Sequence, residues 1–106
     1  DDRLMTIDAA GFRLVTGHPG VVTTNDPIDT ELQIATAYRL SWLVLERDEI
    51  ATPMVPILSG ASRPGWIGAP VFTLPTADGG PPRIAIYPIC LSPADPRCVV
   101  LASARR

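Results

Sequence analysis

The chain has 106 residues, enough for one domain that buries its own core without a metal or a set of disulfides. Its formal net charge is −2 and all nine of its basic residues are arginines spread along the chain, which offers no basic field and excludes nucleic acid as a partner. No run of about 18 apolar residues and no basic amphipathic stretch is present, which excludes a membrane-spanning or membrane-inserting helix within the sequence.

Leu4-Met5-Thr6-Ile7 reads as a first strand, and Asp8 is a cap candidate for a helix from Ala9 to Thr16 that carries Phe12 and Val15 and closes on Gly17 in the left-handed region. Val21-Val22-Thr23 is a second, short β-prone segment. Asp26-Pro27 predicts a helix start, because Asp is among the best N-cap residues and Pro at the first helical position loses no hydrogen bond. Asp29 and Glu31 put negative charge in the first turn and Arg39 stands near the far end, the polarity that the helix dipole favours. Ile28, Leu32, Ala35 and Tyr38 recur at helical spacing, widened by Ile34, which predicts a helix lying on a sheet. Trp42-Leu43-Val44-Leu45, bounded by Ser41 and by Glu46-Arg47-Asp48, reads as a strand buried on both faces, with Trp42 in the core.

Thr52 to Leu58 predicts a short helical turn with Met54, Ile57 and Leu58 facing inward, limited by Pro53 and Pro56 and ended by Gly60. After a loop from Arg63 to Gly68, Val71 to Leu74 and Arg83 to Tyr87 read as strands, the second alternating at Ile84 and Ile86. Pro75 to Pro82 between them is turn chemistry throughout, which predicts a hairpin with a mobile loop. Cys98 to Ala102 is expected to add a last edge strand. Strand, helix, strand in the first half is a βαβ order, right-handed in nearly all cases. The expected architecture is α/β: one small Rossmann-like layered domain over residues 1–106, with a mostly parallel sheet extended by a C-terminal β-hairpin. A start at Asp1-Asp2-Arg3, with the first Met at position 5 inside a predicted strand, leads us to expect a domain excised from a larger protein.

The segments T-G-H-P-G-V-V at 16–22, N-D-P at 25–27, A-T-A-Y-R-L-S-W-L-V-L-E at 35–46, P-I-L-S-G at 56–60 and R-I-A-I-Y at 83–87 together resemble the soluble tail domain of certain bacterial membrane glycosyltransferases. These are similar to protein mannosyltransferases and lipid A aminoarabinose transferases. The resemblance implies an extracytoplasmic domain on a polytopic enzyme that takes sugar from a polyprenyl-phosphate carrier. It implies that the catalytic carboxylates belong to loops of the membrane part, so no catalytic residue carries over to this chain. The implied partner is the membrane-embedded part of the same polypeptide, with a glycan or lipid-linked sugar as a further candidate. The parent would use the polyprenyl-phosphate sugar donor, with a divalent cation as an option, and this domain would hold no cofactor of its own. The chain departs from the pattern in its ending, where Cys90 and Cys98 follow the last family-like strand.

Those two cysteines enclose a short Pro-rich loop and are expected to pair, as two cysteines in one chain readily do outside the cytoplasm; the alternative is two separate thiols, one buried at a strand end and one exposed. Without a second cysteine pair or a histidine cluster they supply no zinc site.

If the strands at 4–7, 21–23 and 42–45 are parallel, their carboxyl ends share one edge, where Asp8, Asn25, Asp26, Glu46, Arg47 and Asp48 gather. Ligands of open α/β sheets bind at such an edge. Carboxylates and an amide there could bond sugar hydroxyls, with Trp66 as a stacking face, or hold a cation such as calcium. The competing reading is structural, with Asp8 and Asp26 as caps, Glu46 and Asp48 opening a solvated loop, and Arg47 paired with a neighbour. His18, the one histidine, sits in a Gly-His-Pro-Gly turn with no identifiable acid or nucleophile partner, and Ser59 lacks the strand-Ser-helix setting of a nucleophile elbow.

Overall fold

The structure is a computed structural model that describes residues 2–98. Five strands, β1 (Leu4–Thr6), β2 (Gly20–Val22), β3 (Trp42–Glu46), β4 (Phe72–Leu74) and β5 (Ile84–Pro88), form one sheet in the order β2-β1-β3-β5-β4. Helix α1 (Ala9–Thr16) joins β1 to β2, and α2 (Ile28–Tyr38) carries the chain back across β1 to β3. Those three strands are parallel, whereas β5 is antiparallel to both β3 and β4. The domain is thus mixed α/β, with a sheet parallel in one half and antiparallel in the other. The expected mostly parallel sheet with a C-terminal hairpin is found: four of the five strands run the same way, and the one reversed strand, β5 of the hairpin, docks on β3. Cys98 lies in a helical turn at 96–98 instead of the expected edge strand, whose residues 99–102 fall outside the described residues.

Local chemistry explains most element ends. Asp8 caps α1 by accepting a 3.1 Å hydrogen bond from the Gly11 N–H, and Gly17 closes it at φ 79 with its N–H on the Arg13 carbonyl. A Cβ at position 11 would overlap the Asp8 carboxylate, so this cap needs glycine there. The start of α2 differs from expectation. Pro27 occupies the N-cap position, the helix begins at Ile28, and no side chain caps it, so Asp26 stands one residue too early. Arg39 ends that helix in the left-handed region at φ 53. A 3₁₀ turn at Thr52–Met54 runs into α3 (Val55–Ser59), which stops at Gly60 at φ 83 as anticipated.

Strand register sorts the side chains onto two faces. Met5, Leu43, Leu45, Ala85 and Tyr87 point to one side and meet Ala35 of α2 and Met54, Ile57 and Leu58 of the 3₁₀ turn and α3. Each fully buried Leu, Ile or Met contributes about 1.5–3 kcal/mol, so this layer is the main source of stability. Leu43, Val44 and Leu45 are all buried, which bears out the two-sided burial read for β3. In the hairpin Ala85 and Tyr87 face the core, and the alternating Ile84 and Ile86 the opposite side. On α2 the inward positions are Ile28, Glu31, Ile34 and Ala35, while Tyr38 is 54% exposed. The stripe is rotated because the wholly buried Glu31 lies within it.

Candidate functional site

The parallel arrangement of β1, β2 and β3 does bring their carboxyl ends to one edge. Asp8 follows β1, Asn25 and Asp26 follow β2, and Glu46 ends β3 with Arg47 and Asp48 after it. Glu46 is half-buried, and burial pushes its carboxyl above the ordinary value, with Glu49, Asp8 and Asp48 adding repulsion. The influence of Asp8 on Glu46 reflects the adjacency of β1 and β3.

Most of the other polar groups at this edge are engaged by the fold. The Asp8 carboxylate caps α1. The Asn25 side-chain oxygen accepts a 2.9 Å hydrogen bond from the Thr52 N–H, capping the 3₁₀ turn from across the structure. Arg47 forks onto Asp78, its Nη1 and Nη2 each donating at 3.1 Å to the two carboxylate oxygens. Asp78 also accepts from the Thr76 hydroxyl at 2.7 Å and the Gly80 N–H at 2.8 Å, so these donors hold its carboxyl well below the usual carboxylate range. Asp26 and Asp48 remain exposed. Among the described residues no group of three or more His, Cys, Asp or Glu side chains is placed to hold a metal ion.

Trp66 does not join this edge. Its carbonyl accepts from the Cys90 N–H at 2.8 Å, just beyond the end of β5 that pairs with Trp42. That places Trp66 by the amino-terminal ends of the parallel strands, across the sheet from Asp8 and Glu46. There it lines a hollow of about 460 Å³ with Leu32, Leu91 and the two cysteines.

Cys90 and Cys98 are joined in a disulfide with their Cα atoms 6.3 Å apart. Inside the loop it closes, Arg97 pairs with Asp95 at 2.9 Å and donates to the carbonyls of Ser41 (3.2 Å) and Ile89 (2.7 Å). Its guanidinium stands 5.0 Å from the centroid of the Trp42 ring. Trp42 is accordingly half-buried beneath a cation and not a core residue, because the chain after β5 folds back over the start of β3.

Two features escaped the sequence reading. Glu31 accepts the Thr24 hydroxyl hydrogen bond on one oxygen, while its Oε1 and the Thr23 Oγ1 are buried without partners among the described residues. Burial pushes the Glu31 carboxyl up, opposed by the Thr24 hydrogen bonds. Nothing in the sequence marks Glu31 as buried, since a glutamate in a first helical turn is ordinarily a solvated dipole partner. The second feature is the sheet face carrying Val44. Register puts Phe72, Leu74, Ile84 and Ile86 together on that face, with Phe72 51% and Leu74 38% exposed.

Compared with protein-family models, with curated proteins and with solved structures, the chain matches none of them. Among the described residues no helix is long and apolar enough to cross a membrane.

Proposed function

We propose that this chain is a non-catalytic accessory domain working on the extracytoplasmic face of a cell membrane, where it docks on a larger protein through the open face of its hairpin. One observation carries this reading: Phe72, Leu74, Ile84 and Ile86 form a continuous apolar patch on adjacent strands and leave two large side chains substantially in water. The disulfide supports an oxidising compartment. The use of Asp8 and Asn25 as caps and of Arg47 as a partner for Asp78 supports a scaffold over an active site. On this reading β1 to β3 with α1 and α2 form a Rossmann-like half-unit serving as a platform. The parent implied by the sequence resemblance is a polyprenyl-phosphate-sugar-dependent glycosyltransferase, whose membrane-embedded part is the docking partner.

The test uses the full-length gene. Several upstream spans of about 20 apolar residues are expected, and their absence would sink the parent assignment. In that full-length protein, Phe72→Ser with Leu74→Ser is expected to lower sugar transfer while the isolated double variant keeps its stability to within about 1 kcal/mol, as exposed positions allow. Unchanged transfer would remove the docking role.

A second reading keeps the acidic edge as a glycan or small-ligand site, favoured by the meeting of Asp8 and Glu46 where the chain turns from β2 on one side of β1 to β3 on the other. Saturable glycan binding by the isolated domain, lost in Glu46→Gln, would select it.

A further inference from the structure

A hollow of about 420 Å³ opens between the end of α3 and the inner side of the β4–β5 hairpin. Its floor is apolar, built from the buried side chains of Ile57, Leu58 and Tyr87. Its rim is polar, with the hydroxyls of Ser62 and Thr73 and the Arg63 guanidinium. The Ser62 and Thr73 hydroxyls make no hydrogen bond among the described residues, and Arg63 has no carboxylate within salt-bridge distance among them. The Tyr87 hydroxyl donates to the Ile57 carbonyl at 3.4 Å, a long bond readily exchanged for a better acceptor.

Charge decides what such a hollow accepts. The chain carries eleven acidic residues, yet none lines this space, and the one charged group that does is a cation. The Arg63 charge is felt at the Tyr87 phenol, whose pKa burial pushes up and Arg63 draws back down, so the guanidinium and the phenol address the same region. Size and lining match small-molecule sites, which are mostly apolar with a few convergent polar groups.

We propose that this hollow binds a small organic anion: an apolar body resting on Ile57, Leu58 and the Tyr87 ring, with one carboxylate or phosphate held by Arg63 and the Ser62 and Thr73 hydroxyls. A guanidinium presents paired donors to such an oxyanion and rejects cations by repulsion. The site is independent of the docking face, because Thr73 points to the opposite side of the sheet from Phe72 and Leu74. Success or failure here leaves the docking reading untouched.

The experiment is an NMR titration of the ¹⁵N-labelled chain with two probes of the same shape, 1-naphthoate and the neutral 1-naphthalenemethanol. Naphthoate is expected to give saturable shifts at Ser59 to Arg63, Thr73 and Tyr87, and to bind at least about tenfold more tightly than the alcohol, as a charge-assisted hydrogen bond provides. Arg63→Gln, at an exposed position, is expected to fold normally and to erase that preference. Equal binding of acid and alcohol, shifts centred on Phe72 and Leu74, non-saturating shifts, or an undiminished preference in Arg63→Gln would each overturn the proposal.

Discussion

Asn25 and Thr52 are joined by a 2.9 Å hydrogen bond from the Thr52 N–H to the Asn25 side-chain oxygen, across a sequence separation of 27. This bond ties the turn after β2 to the start of the 3₁₀ turn and α3, whose Met54, Ile57 and Leu58 fill the main core. It takes a residue that reads as a ligand candidate and gives it an architectural task.

Asn25→Ala removes the cap and is expected to cost about 1 kcal/mol, within the range for lost helix caps. Asn25→Asp keeps the acceptor and should retain most of the stability. Urea midpoints of the two variants check this, and equal losses would show that the side-chain oxygen contributes nothing.

Glu31 gives a pH prediction. Burial holds its carboxyl above the ordinary value in the folded chain, whereas unfolding returns it to about 4.3. The folded state therefore binds the proton more tightly, so the contribution of Glu31 is whole below about pH 4.3 and is lost as pH rises through the folded value. Glu46, also raised by burial, acts with the same sign. Asp78 and Asp95, lowered by Arg47 and Arg97, act oppositely: their contribution is present above about pH 3.9 and is lost as pH falls through their lower folded values. Glu31→Gln is expected to flatten the decline in stability as pH rises above about 4.3. Parallel urea-midpoint curves for the variant and the parent chain would rule this out.

The disulfide closes a short loop, with a sequence separation of 8 between its cysteines. Loop-closure entropy for such a span makes it worth about 2–3 kcal/mol. Cys90→Ser with Cys98→Ser should lower the unfolding free energy by that amount, read from urea denaturation, and reductant should do the same to the unsubstituted chain while leaving the double variant unchanged.

Arg97 should matter through its geometry as much as its charge. Arg97→Ala removes the guanidinium over Trp42 and the donors to Ser41 and Ile89, with an expected loss of about 1–3 kcal/mol. Arg97→Lys keeps the charge but not the planar fork, and should fall between the two. In a Trp66→Phe background the emission of Trp42 should shift to the red in Arg97→Ala; an unmoved spectrum would mean the stack is not populated in solution.

Local order was legible wherever neighbours in sequence decide it. Asp8 with Gly17 bounded α1, the run Trp42 to Leu45 marked a strand buried on both sides, Gly60 ended α3, and the turn-rich stretch from Pro75 to Pro82 announced a hairpin. These follow from capping, periodicity and backbone freedom, which act within a few residues. The pairing of Cys90 with Cys98 was likewise expected, because a short loop keeps the two thiols close.

Only tertiary packing decided the rest. That β5 and not β4 lies against β3 turned Ala85 and Tyr87 inward and left Ile84 and Ile86 beside the exposed Phe72 and Leu74. The docking of α2 buried Glu31 where helical spacing had pointed to Leu32 and Tyr38. The return of the chain after β5 put Arg97 on Trp42, and the path of the loop before β4 carried Trp66 away from the acidic edge. Periodicity says which side of an element is apolar, but the partner that covers that side, or leaves it open, is chosen by contacts between residues far apart in the chain.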